Sequence, residues 1–123
     1  KKLLSLLIEN LDQEVKTRKE NYECWKISMK KVFRESKEIF IKSENKSPYI
    51  LGLTFPSENK AQEAFSYLIN LKIPVSSWPD LPPETISDTE KHQLAISLRR
   101  STIFLPIHRS INSELIRSFQ KLN

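Results

Sequence analysis

The sequence predicts an α+β two-layer sandwich: a long N-terminal helix, then a small, mainly antiparallel sheet of about three strands with helices packed on one face. Three observations predict it. From Lys2 to about Arg34 no proline or glycine interrupts an apolar repeat of mostly three or four residues. Beyond it, short runs of β-formers alternate with helical patterns in the order β-α-β-α-β-α. Prolines also sit just downstream of apolar runs in Ile73-Pro74-Val75-Ser76-Ser77-Trp78-Pro79-Asp80-Leu81-Pro82-Pro83-Glu84 and Phe104-Leu105-Pro106-Ile107-His108-Arg109. Proline there stops strand pairing and fixes the exit path.

The first helix rests on Leu4, Leu7, Leu11, Val15, Tyr22, Trp25, Met29 and Val32, with Arg18 falling on the same stripe. At 1.5 Å per residue it runs to roughly 45–50 Å, too long for one small domain to cover. Part of it is expected to pack against another domain or another chain. The break at Arg18 argues against a free-standing coiled coil. Ile39-Phe40-Ile41 reads as a short edge strand and Ser43–Ser47 as a polar loop. Tyr49–Phe55 is a strand ending at Pro56. Ser57 caps a helix that carries Ala61, Ala64, Phe65, Leu68 and Ile69 on one face and ends near Lys72. Ile73–Ser77 is the next strand, and Pro79–Pro83 a turn-rich loop. Asp88 or Thr89 caps a helix with Leu94, Ala95 and Leu98 on its inner side. Thr102–Leu105 is a strand ending at Pro106. Asn112 or Ser113 caps the last helix, with Leu115, Ile116 and Phe119 inward. The organisation is thus a connecting helix over 1–36 and a small domain over 37–123. The chain opens inside a helical pattern without a methionine, which predicts that the natural protein extends upstream.

Composition excludes several classes. The chain is 38% hydrophobic and 28% charged, which suits a folded domain rather than a disordered segment. Gly52 is the sole glycine, so no glycine-rich phosphate loop exists. A single Cys24 and two widely spaced histidines offer no zinc spacing. No apolar run approaches the roughly 18 residues of a membrane span. The net charge of +5 raises nucleic acid as a partner. Basic and acidic residues alternate, however, as in Glu14-Val15-Lys16 and Lys19-Glu20, which makes a solvated face and not a phosphate track.

Catalytic constellations are thin. A triad of Ser76, His108 and Asp80 can be drawn, but no nucleophile-elbow sequence surrounds any serine. Glu84 and Asp88 are loop carboxylates of the usual solvated kind. His92 and Cys24 fall within helical segments and read as structural. Trp78 and His108 stand out because each follows a strand that ends at a proline-locked turn, a common setting for ligand contacts.

In its motifs the chain resembles the C-terminal small domain of pyridoxal-phosphate aminotransferases, closest to the sugar-aminotransferase family called DegT/DnrJ/StrS. Arg18, Asn21 and Tyr22 are similar to the family's linking-helix stretch. Ser47-Pro48-Tyr49 is similar to its strand opening. Leu71-Lys72-Ile73 is similar to its helix-to-strand junction, with Lys72 where the family usually has glycine. Leu105-Pro106-Ile107-His108 is similar to its strand end. The family's better-known members carry a His-rich or aromatic loop where this chain has Trp78-Pro79-Asp80-Leu81-Pro82.

The resemblance implies a division of labour. Pyridoxal phosphate, its Schiff-base lysine and its pyridine-binding aspartate belong to a large domain upstream of residue 1, and no lysine of this chain takes that role. Trp78, Asp80, His108 and Arg109 are then expected at the rim of the substrate pocket. Trp78 would stack on a sugar or nucleobase. His108 and Arg109 would bind anionic groups such as a diphosphate or carboxylate. The implied enzyme is a cytoplasmic homodimer acting on a small-molecule carbonyl substrate, with no nucleic-acid or membrane partner. The competing class is a non-catalytic module that binds a small ligand or mediates dimerisation.

Overall fold

The computed structural model describes residues 1–39, 47–79 and 81–122. Its elements are α1 (Lys2–Val32), β1 (Lys37–Glu38), β2 (Ile50–Thr54), α2 (Glu58–Asn70), β3 (Ser76–Ser77), α3 (Pro83–Ser87), α4 (Gln93–Ser101), β4 (Thr102–Pro106) and α5 (Ser113–Leu122). The four strands form one antiparallel sheet in the order β1-β2-β4-β3. The α+β sandwich expected from the sequence is present.

Strand pairing sets the core. Leu51 lies opposite Leu105, and Leu53 opposite Ile103. Successive side chains alternate faces, so these four share one face with Phe55 and Ile107. That face packs on Tyr22, Trp25 and Met29 of α1, Ala61, Ala64 and Leu68 of α2, and Ile116 and Phe119 of α5. Trp25 meets Phe119 edge-on at 6.0 Å. On the opposite face Gly52 pairs with Phe104, and both are buried.

The junction after α2 explains why β3 is short. The Lys72 N–H bonds the Ile69 carbonyl at 2.9 Å, and the Ile73 N–H bonds the Leu68 carbonyl at 3.0 Å. Lys72 itself has φ 59°. This is a Schellman ending, with the left-handed residue that favours glycine. Ile73 spends its N–H on the helix and Pro74 has none, so pairing starts only at Ser76 and not at Ile73 as expected.

Three further expectations are corrected. The first edge strand is Lys37–Glu38, ahead of Ile39; Phe40 and Ile41 lie outside the described residues, as does most of the Ser43–Ser47 loop. The loop after Pro79 holds a short helix, α3, opened by Pro83, because proline suits the first helical turn, where its missing N–H costs nothing. Helix α4 turns the other way: Leu94 is 75% and Leu98 45% exposed, and Ala95 is exposed too. Its half-buried positions are Ile96 and Arg99, Ser101 is buried, and His92, which precedes the helix, is half-buried too. Tertiary contact settles that phase, since Arg99 Nε donates to the Pro79 carbonyl at 3.2 Å. The cap of α5 is as expected: the Glu114 N–H bonds Asn112 Oδ1 at 2.9 Å.

One polar atom stands out in this interior. Thr102 Oγ1 is buried and has no hydrogen-bond partner among the described residues. A buried hydroxyl without a partner costs free energy that an isosteric methyl does not. Thr102→Val is therefore expected to raise stability by about 1 kcal/mol in urea unfolding; a loss of similar size would mean that the hydroxyl has a partner.

Candidate functional site

The turn after β4 is held by α1. Asn21 is buried, and its side-chain amide donates to the carbonyls of Ile107 at 3.1 Å, His108 at 3.4 Å and Ile111 at 3.4 Å. One turn further along α1, Trp25 Nε1 donates to the Pro106 carbonyl at 3.1 Å. Pro106 ends strand pairing, so these carbonyls lack sheet partners and the helix side chains supply them. The result is a fixed turn that presents His108, Arg109 and Ser110 exposed. Ser110 Oγ is hydrogen-bonded to His108 Nδ1, which leaves Nε2 as the free ring nitrogen.

The neighbouring charges belong to α1. The Arg109 N–H donates to Glu14 Oε1 at 3.4 Å, and Arg18 Nε pairs with the same oxygen at 2.8 Å. The Arg18 hydrogen bond holds the Glu14 carboxyl below its ordinary value, with a smaller share from the Arg109 amide. The Arg18 guanidinium also lies 5.7 Å from the Tyr49 ring centre, within cation–π range. Arg18, read as a break in the apolar stripe, thus works at the junction between helix and strand-end turn.

Trp78 lies elsewhere. Its ring meets Phe104 edge-on at 4.8 Å and 89°, and it stays 40% exposed. The Arg99 bond to the Pro79 carbonyl anchors the loop that follows. Gly52, opposite Phe104, brings no side chain to crowd this aromatic pair. Phe104 lies within β4, whereas His108 lies in the turn beyond its end. Trp78, which follows Ser77 opposite Ile103, and His108 therefore occupy two separate stations, one beside β4 and one past its end. Asp80 lies outside the described residues. Ser76 and Ser77 pair with Phe104 and Ile103, well short of His108, so the Ser76–His108 arrangement is not assembled.

Sequence reasoning missed a second polar cluster. The Tyr22 hydroxyl is hydrogen-bonded to Glu38, and Lys26 Nζ lies 3.2 Å from the other Glu38 oxygen. Burial, then the Glu38 hydrogen bond, pushes the Tyr22 hydroxyl well above its ordinary 10.0. The unfolded chain releases this proton near pH 10 while the folded chain keeps it. Tyr22 thus contributes its full stabilisation below about pH 10 and loses it as pH rises toward the folded value. Urea midpoints are expected to fall between about pH 9 and 11, and less steeply in Tyr22→Phe. Equal slopes would show that Tyr22 titrates alike in both states.

Among the described residues no three His, Cys, Asp or Glu side chains come together. None of the described lysines is buried; Lys19 is half-buried and the rest are exposed. These residues do not fit the pyridoxal phosphate that the resemblance implies. Among the described residues no helix is long and apolar enough to cross a membrane. No protein-family model matches the chain, and no curated protein matches it.

Proposed function

We propose that this chain is the C-terminal small domain of a cytoplasmic, homodimeric pyridoxal-phosphate aminotransferase of the DegT/DnrJ/StrS type, acting on a sugar or nucleotide-sugar carbonyl substrate. One observation carries the reading. Two separate stretches that resemble the family, Arg18-Asn21-Tyr22 on α1 and Leu105-Pro106-Ile107-His108 at the end of β4, meet through the Asn21 amide. A third, Leu71-Lys72-Ile73, puts Lys72 in the left-handed conformation at the position where the family has glycine.

In this reading the upstream domain holds pyridoxal phosphate, which supplies the electron sink for transamination. The small domain recognises and encloses substrate. Trp78 offers an aromatic face to a ring. His108, with its ring oriented by Ser110, and Arg109 offer donors to an anionic group. Two separate stations, one beside β4 and one in the turn beyond it, suit an extended substrate such as a nucleotide sugar better than a free monosaccharide. The exposed apolar half of α1 favours the second reading, a dimerisation module.

The isolated 123-residue chain is expected to leave pyridoxal phosphate unbound. After gel filtration no cofactor absorbance should remain with the protein. Borohydride fixation of the cofactor at one specific lysine would overturn the assignment of roles. The gene upstream of Lys1 discriminates the two readings: a large α/β domain with a cofactor lysine supports the enzyme, and a start codon close to Lys1 supports the module.

A further inference from the structure

The first half of α1 reaches beyond the domain. Every residue from Lys1 to Gln13 is exposed. Within it Leu3, Leu4, Leu6, Leu7, Ile8 and Leu11 are 50–72% exposed. At about 100° of rotation per residue, Leu4, Leu7 and Leu11 fall on the same meridian as the buried Tyr22, Trp25 and Met29. The stripe is therefore a continuation of the core-facing seam with no sheet beneath it. A helical stretch of this length does not hold itself together in water without a packed face.

The charges around the stripe select a partner. Lys1 and Asp12 flank it on the same side, about 100° and 120° around the helix, at opposite ends of the exposed half. In two parallel copies the two-fold axis carries Lys1 and Asp12 of one copy to the flank opposite those of the other, so neither charge gains a partner. Two antiparallel copies related by a two-fold axis near Leu7 set Lys1 of each against Asp12 of the other. The same operation stacks Leu4 on Leu11 and Leu7 on its symmetry mate. Glu14 stays outside this pattern because Arg18 already holds it. Burying these side chains removes on the order of 500 Å² per copy, about 1,000 Å² for the pair, the lower edge of a specific interface.

We propose that this face binds a second copy of the chain, as a two-fold antiparallel helix pair through Leu4, Leu7 and Leu11 with Lys1–Asp12 contacts across the axis. The pairing does not rest on the aminotransferase reading.

Sedimentation equilibrium of the 123-residue chain tests it. A reversible dimer is expected. Leu7→Glu should give a monomer whose urea midpoint equals that of the wild type measured dilute enough to be monomeric, because Leu7 touches none of the core. Asp12→Lys should weaken association roughly tenfold, and Lys1→Glu added to it should restore it. In a Cys24→Ser background, chains carrying Leu4→Cys should cross-link to chains carrying Leu11→Cys more readily than either does to itself. A monomer at high concentration, tighter association in Asp12→Lys, or preferential like-with-like cross-linking would each overturn the proposal. A monomer would leave the stripe to a different domain or protein.

Discussion

Trp25→Ala is expected to cost the chain about 4–5 kcal/mol, the largest effect of any single substitution in the core. Trp25 is fully buried, fills the space between the sheet and α5, and meets Phe119 edge-on. Truncation leaves a cavity of tryptophan size and removes the donor to the Pro106 carbonyl. Pro106 is the last residue of β4, so this donor ties the end of the strand to α1. Domains of this size are stable by about 5–15 kcal/mol in all, so the variant should be partly unfolded at room temperature. Trp25→Phe separates the two components. It keeps most of the packing and loses the N–H, for an expected cost of about 1–2 kcal/mol. Urea midpoints measure both. A cost below about 1 kcal/mol for Trp25→Ala would mean that α1 does not seat on the sheet as described.

The elements that were legible in the sequence are those where one local signal dominates. β2 and β4 read correctly because β-formers run straight into a proline. α2 read correctly apart from Ile69, which is 47% exposed, because Ser57, a good cap, precedes an apolar face; its hydroxyl accepts from the Lys60 N–H at 3.3 Å. α4 misled because Leu94, Ala95, Leu98 and Ile96 leave two rival faces on a helix of nine residues. The contact that decides between them, Arg99 to the Pro79 carbonyl, bridges a separation of twenty residues. β3 misled because composition cannot tell that the Ile73 N–H is already committed to the α2 cap. At the candidate site, Trp78 and His108 were legible as side chains at strand ends. Their separation was not, because proline-ended strands say nothing about which end of a neighbour they meet. Asn21 carried a faint signal: a poor helix former in the middle of a helix, beside the apolar stripe. The Tyr22–Glu38–Lys26 cluster carried none, since the first edge strand was expected at Ile39-Phe40-Ile41, past Glu38.

The separation of the two stations gives the functional prediction its form. In the longer aminotransferase proposed above, Trp78→Ala should lower kcat/KM by about ten- to a hundred-fold through loss of a stacking platform, worth on the order of 1–3 kcal/mol. His108→Ala should lower it about tenfold through loss of one charge-assisted contact. The two side chains occupy different places, Trp78 against Phe104 of β4 and His108 in the turn beyond the strand, so the losses should multiply in the double variant. Cofactor absorbance should not change in any of the three, because the resemblance puts the cofactor's anchors upstream of residue 1. Trp78 also packs on Phe104, so its variant should lose about 1 kcal/mol of stability, measurable in urea and too little to unfold the enzyme. Wild-type kcat/KM in both single variants would reduce these residues to packing at a domain interface. A double variant no worse than Trp78→Ala alone would mean that the substrate does not span both stations. Loss of the cofactor from either variant would place the turn beside the cofactor ring and overturn the assignment of these residues to the pocket rim.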